Sequence, residues 1–274
     1  MKIKNKLIIT NNIAFLLIIV GISLFLYFQL RSFLQDNINN ELQTKNKSIV
    51  EMIKTTTDAT IKTHLRTIAE KNRELVELFY AKATQGEMTE EQAYEEVRAI
   101  LLDPQYGKLG ETGYLAGVTT QGVLTIHPKS PGVDASGFEF MQEAMAMKNG
   151  YLEYMWKNKG EETERAKAGW LSYFEPWDIM VWASSYKSEF TSLINPQDFE
   201  ETILQMSFGE SGYAYIMDSD GNLIIHPEQE GENIYNSRDS NGRYFIREIC
   251  EKKNGIISYP WQNEGEDKIG RAHV

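Results

Sequence analysis

The sequence predicts an α+β protein: an apolar N-terminal helix, a long polar helix behind it, and two tandem modules of antiparallel strands with helices. Three observations predict it. Residues 7–30 carry no charged side chain. The stretch from Ser32 to about Leu102 holds no proline and a single glycine, Gly86. A segment at 110–128 recurs at 209–227. A third of the way along, the texture changes from helical spacing to glycine, aromatics and short β-like runs.

Lys2, Lys4 and Lys6 precede the uncharged run. At 1.5 Å per residue, 7–30 makes a helix of about 36 Å, enough for a hydrocarbon layer of about 30 Å. Tyr27 and Phe28 fall where an interfacial aromatic belt would lie. A cleaved leader would have a shorter apolar core and small residues behind it. Here Tyr27, Phe28, Gln29, Leu30 and Arg31 follow, so 7–30 is expected to be an uncleaved transmembrane helix. The lysines place residues 1–6 in the cytoplasm and everything after Arg31 outside, in or beyond the inner (plasma) membrane.

Residues 31–104 read as a stalk and helical segment. Ile49, Met52 and Ile53, then Leu65, Ile68, Leu75, Leu78 and Phe79, recur at helical spacing. Gly86 marks a stop, and Thr89 with Gln92 three residues on forms a capping-box signature for a second helix.

The repeat organises the rest. GETGYLAGVTTQGVLTIHP at 110–128 aligns with GESGYAYIMDSDGNLIIHP at 209–227, 9 of 19 positions agreeing. KNGYLEYMWKNKG at 148–160 aligns with KNGIISYPWQNEG at 253–265, 7 of 13 agreeing. The spacing is 99 residues in the first block and 105 in the second. Such a period suits two domains of about 100 residues better than a solenoid. Each copy predicts a hairpin ending at His-Pro, a helix closed by Asn-Gly, and further strands. In copy one these run over 151–156, 169–174 and 179–186, with the helices on one side of the sheet. The tyrosine-rich run 213–217 is expected to be one strand of copy two.

Composition bounds the function. A net charge of −11 argues against nucleic acid, which needs a basic footprint. Cys250 is the only cysteine, so it closes no internal disulfide and no zinc site. No nucleophile, acid–base set, cofactor motif or metal-ligand spacing stands out, and no catalytic residue is expected. Asp218, Ser219, Asp220 and Gly221 begin like a calcium loop but lack the distal glutamate, so they are expected to be a turn.

The set G-x-[TS]-G-Y, G-x-L-x-I-H-P, N-G, Y-x-W, then AGWLSYFEPW at 168–177, resembles the Cache family of extracytoplasmic PAS-like sensors, of the type named Cache 2. The resemblance implies two PAS-like modules, at 105–194 and 195–267, with the second breaking off early because only the front half of the pattern recurs. It implies the front end of a chemoreceptor, a sensor kinase or a cyclic-dinucleotide enzyme. It further implies a homodimer and a small organic ligand of the carboxylate or amino-acid class. Residues 268–274 resemble a translated library adapter and are expected not to belong to the natural chain. An extracytoplasmic enzyme and an envelope scaffold or adhesion protein are the competing functions.

The candidate ligand-binding residues are Tyr114, His127, Phe140, Tyr154, Trp156, Arg165, Lys167, Trp170 and Tyr173. Tyrosine and tryptophan combine an apolar body with a polar handle. Lys167, or failing it Arg165, would supply the cation that a carboxylate requires. The bland alternative is that both are solvated turn residues, and that His127 and its repeat His226 shape the fold.

Overall fold

The computed structural model describes residues 3–158, 161–208, 212–252, 256–263 and 266–273. Contacts divide the chain into two units. One is Lys54–Asn195; the other joins Met1–Ile53 to Pro196–Val274.

Helix α1 runs unbroken over Ile3–Thr84. From Ile13 to Leu34 its large apolar side chains stand open to solvent, Phe15 at 66% and Leu17 at 65%. Among the described residues this is the one helix long and apolar enough to cross a membrane. A bilayer would cover so long a band of apolar surface. Helix α2, Glu90–Leu102, starts as its sequence requires. Thr89 accepts from the Gln92 backbone N–H, and the Gln92 side chain accepts from the Thr89 N–H.

In the unit Lys54–Asn195, β1 (Lys108–Leu109), β2 (Gly113–Val118), β3 (Leu124–Ile126), α3 (Glu139–Met147), β4 (Gly150–Trp156), β5 (Arg165–Phe174) and β6 (Ile179–Tyr186) follow in order. The strands form one antiparallel sheet, β1-β2-β6-β5-β4, with β3 on the same edge of β2 as β1. All eight residues of central β6 are buried, so both faces of the sheet must be covered. Alternation decides which side chain meets which cover. Leu115, Val181, Ala183 and Ala168 meet Ile61, Leu65 and Ala69 of α1 and Val97 and Leu101 of α2. Ala116, Met180, Trp182 and Leu171 meet Met141 and Ala144 of α3. The sheet is therefore sandwiched, and the expectation of helices on one side is corrected: a strand buried on both faces cannot leave one wet.

Two further boundaries differ from the sequence expectation. The left-handed residue closing α3 is Lys148 (φ 60°), not the following Asn-Gly. Asn149 is engaged elsewhere, accepting from the Tyr173 N–H, and Gly150 already begins β4. Strand β5 starts at Arg165, four residues early, because 165–168 pair with β4 and, from Lys167 on, with β6 as well. Arg165 and Lys167 are thus strand residues and not turn residues.

In the other unit, α4 (Glu200–Leu204) is followed by the short pairs β7 (Ser207–Phe208) with β8 (Gly212–Tyr213) and β9 (Ile216–Met217) with β10 (Leu223–Ile225). The tyrosine-rich run is therefore split between two ladders and does not form one strand. Helix α5 (Phe245–Lys252) packs on β11 (Ile256–Asn263), which pairs with β12 (Glu266–His273). The Asn-Gly expected to close α5 lies at 254–255, outside the described residues.

The repeat is physical. Val123 bridges Asp134 in copy one, and Asn222 bridges Asn233 in copy two. Gly122 and Gly221 both turn with positive φ, 83° and 81°, which a side chain would resist. Phe140 stacks on Tyr154 at 4.3 Å, and Phe245 on Tyr259 at 3.9 Å.

Candidate functional site

On β5 the alternation puts Lys167, Gly169 and Leu171 on the α3 face of the sheet. In register beside Lys167 stand Tyr154 on β4 and Tyr186 on β6. Lys167 is 1% exposed. Among the described residues its Nζ has no hydrogen-bond partner. What surrounds it is aromatic: the ammonium lies 4.2 Å from the Tyr114 ring centre and 5.6 Å from that of Tyr186. Burying an uncompensated ammonium costs several kcal/mol, whereas each ring returns about 0.5–2 kcal/mol. The deficit shows in the lysine itself. Burial pushes its pKa down to about 8, against the opposing pull of Glu189 and Glu161. Below that pH the sheet holds a positive charge that lacks an anion.

Hydrogen-bond donors gather on the same face. The Trp182 Nε1 is buried and also unpartnered among the described residues. Its indole crosses β5 at Gly169, where an added Cβ would lie 2.1 Å from Nε1. Glycine is what lets the ring lie there. His127 Nδ1 accepts from the backbone N–H groups of Lys129 and Ser130 at 3.1 and 3.0 Å. The proton therefore sits on Nε2, which donates to the Tyr114 hydroxyl at 3.1 Å and leaves the Tyr114 proton for another acceptor. Burial, then the charge of Lys167, lowers the His127 pKa to about 4 and holds the ring neutral. Burial raises the Tyr114 phenol to about 12, so it stays a donor. Tyr154 shares a hydrogen bond with Ser184. A buried cation, an indole N–H and a phenol O–H on one apolar face suit a small molecule with one carboxylate.

The nine sequence candidates fall into three groups. Tyr114, His127, Tyr154 and Lys167 share this face. Phe140 and Trp156 form its α3 side, with Phe140 5.5 Å from Trp156 and 6.0 Å from Trp182. Arg165 shares the face of Lys167 but is already paired, and Trp170 and Tyr173 lie elsewhere. Arg165 is held by Glu161 and Glu189 and stacks 3.6 Å over the Tyr186 ring. Trp170 faces α1, under the Arg66 guanidinium. Tyr173 is six residues, about 20 Å, farther along β5, donating to Asp178. Sequence reasoning missed Trp182, Ser184, Tyr186 and Gly169. The signal was present: registering β5 against β6 about the Pro176 turn aligns Gly169 with Ser184 and Lys167 with Tyr186.

One anchor holds the rim. Glu189, with a side chain 5% exposed, accepts from the Glu111 and Thr112 N–H groups and from the Thr112 and Ser185 hydroxyls. Burial alone would raise its pKa, but these four donors outweigh it and hold the carboxyl below its usual range. Among the described residues no group of three His, Cys, Asp or Glu side chains is placed to hold a metal ion.

A family model described as a Cache domain matches residues 28–273. The chain belongs to the Cache domain family. A sensor histidine kinase, MctS of Rhizobium johnstonii, is 29% identical over 79 residues, 27% of this chain and 17% of that one. The chain thus spans about a sixth of the length of that curated relative. Among solved structures, a periplasmic sensor domain of a chemotaxis protein aligns with TM-score 0.41 at 23% identity, over 47% of this chain and 96% of its own. A Cache chemosensory domain, described by its recognition of carboxylic acids, aligns with TM-score 0.40 at 16% identity, over 50% and 96%. In this Cache chain the α3 face of the first repeat is where cation, donors and aromatic walls meet.

Proposed function

We propose that this chain is the ligand-sensing region of a membrane receptor, and that the first repeat binds a small organic carboxylate, an amino acid being one form, at Lys167. The observation that carries the proposal is the buried, unpaired Lys167 ammonium. Trp182 Nε1 and the Tyr114 hydroxyl would complete the carboxylate's hydrogen bonds. Phe140, Tyr154 and Trp156 would cover its apolar part. The repeat supports two tandem PAS-like modules, at 105–194 and 195–267, of which the first carries the full pattern. The N-terminus is cytoplasmic, the modules are extracytoplasmic, and the working assembly is a homodimer. A ligand between sheet and α3 would change the population of sheet packings against α1, by no more than its differential affinity for them. Signal output belongs to whatever partner or domain receives that motion.

The test is a thermal-shift screen of the full chain in lipid nanodiscs against carboxylates, amino acids, amines and purines. Stabilisation by carboxylates that Lys167→Met abolishes supports the proposal. Stabilisation only by amines or purines overturns the ligand class. A folded chain that responds to none favours the scaffold reading.

A further inference from the structure

The second unit carries a cationic cluster of its own. Arg238 and Arg247 each place a guanidinium 4.1 Å from the centre of the Tyr244 ring. The two cations therefore lie within twice that distance of each other. Arg238 donates to the Tyr244 hydroxyl, and Arg247 to the Asn236 carbonyl. The Arg247 Nε is buried and without a partner among the described residues. No carboxylate of the described residues pairs with either arginine. Five other arginines, Arg66, Arg73, Arg98, Arg165 and Arg243, each pair with a glutamate. In a chain with 39 acidic and 28 basic residues, two adjacent arginines without an acid are not explained by any shortage of carboxylates.

The cluster is also held still. Asp239, buried between Arg238 and the α5 start, accepts from the Asn241 and Arg243 N–H groups at 2.9 Å. The Ser240 N–H donates to the Pro260 carbonyl and ties the loop to β11. Phe245 and Ile246 anchor the first turn of α5 in the core, fixing Tyr244 and Arg247 beside it. Two like charges held on one ring repel each other, while each is attracted to the ring. An oxyanion bridging the guanidinium forks would remove the repulsion and could satisfy the unpartnered Nε donor.

We propose that Arg238, Tyr244 and Arg247 form a second ligand site, for a small oxyanion of the phosphate or carboxylate type. It does not rest on Lys167. The same chemistry comes free in solution or on a lipid headgroup, and two arms separate these sources. In nanodiscs of zwitterionic lipid, inorganic phosphate is titrated at constant ionic strength and the melting temperature followed. In nanodiscs containing anionic lipid the phosphate is omitted. A free anion raises the melting temperature in the first arm; a headgroup raises it in the second. Either shift should be retained in Lys167→Met. In Arg238→Gln/Arg247→Gln, apparent affinity should fall about tenfold or more. Should that variant not fold, Arg247→Lys, which keeps the charge but loses the fork, should still weaken binding. Shifts of equal size in the variants, or no shift in either arm from a folded wild-type chain, would overturn the proposal.

Discussion

At the scale of single residues, the weight falls on Lys167. Its folded pKa is depressed to about 8 from an ordinary 10.5. Between those values the unfolded chain holds a proton that the folded chain has lost, so stability rises with pH across that window. The rise should reach up to roughly 3 kcal/mol and be absent in Lys167→Met, as read by urea denaturation at a series of pH values. A flat wild-type profile would mean that the lysine is solvated or paired. The type of this residue was legible in the sequence, its face less so. Lys167 and Trp170 are both sequence candidates, three residues apart. Once β5 extends back to Arg165, that spacing puts them on opposite faces of the sheet. Arg165 was plausible as a cation for the same reasons as Lys167, and only the third dimension shows Glu161 and Glu189 already satisfying it.

Elements carry the site by register. β5 and β6 pair without a break from Lys167–Tyr186 to Phe174–Ile179, and this brings Trp182 over Gly169. Gly169→Ala should push the indole off the strand, destabilising the chain by about 1–3 kcal/mol and weakening carboxylate binding. Unchanged stability and binding would show that Trp182 has no fixed post there. The α2 cap, the His-Pro hairpin of copy one and β6 were legible because each follows from local chemistry. The cap of α3 was not, because Asn149 is recruited by Tyr173, a tertiary contact that no local pattern records. The split of the tyrosine-rich run between two ladders has the same origin in partners distant along the chain. Trp182 and Tyr186 escaped for a related reason: a strand buried on both faces shows no alternation to read.

For the whole molecule, the repeat was the most informative line in the sequence, and its contacts recur in both copies. His127 and His226 make the same turn, each accepting two backbone N–H groups at Nδ1. The two units differ in where they leave charge unpaired, at Lys167 in one and at Arg238 and Arg247 in the other. The orientation of the proposed receptor has its own test. With Cys250→Ser as background, Glu91→Cys on exposed α2 should react with a membrane-impermeant maleimide in intact cells. Labelling only after lysis would reverse the topology.

The central claim, that a carboxylate meets Lys167, is tested most directly by equilibrium binding of the strongest carboxylate from the screen to wild type and Lys167→Met, across pH. Wild-type affinity should hold below about pH 8 and fall above it as the ammonium is lost, while Lys167→Met, folded, should bind at least tenfold more weakly with no such pH dependence. Equal affinity and the same pH profile in both proteins would contradict the account.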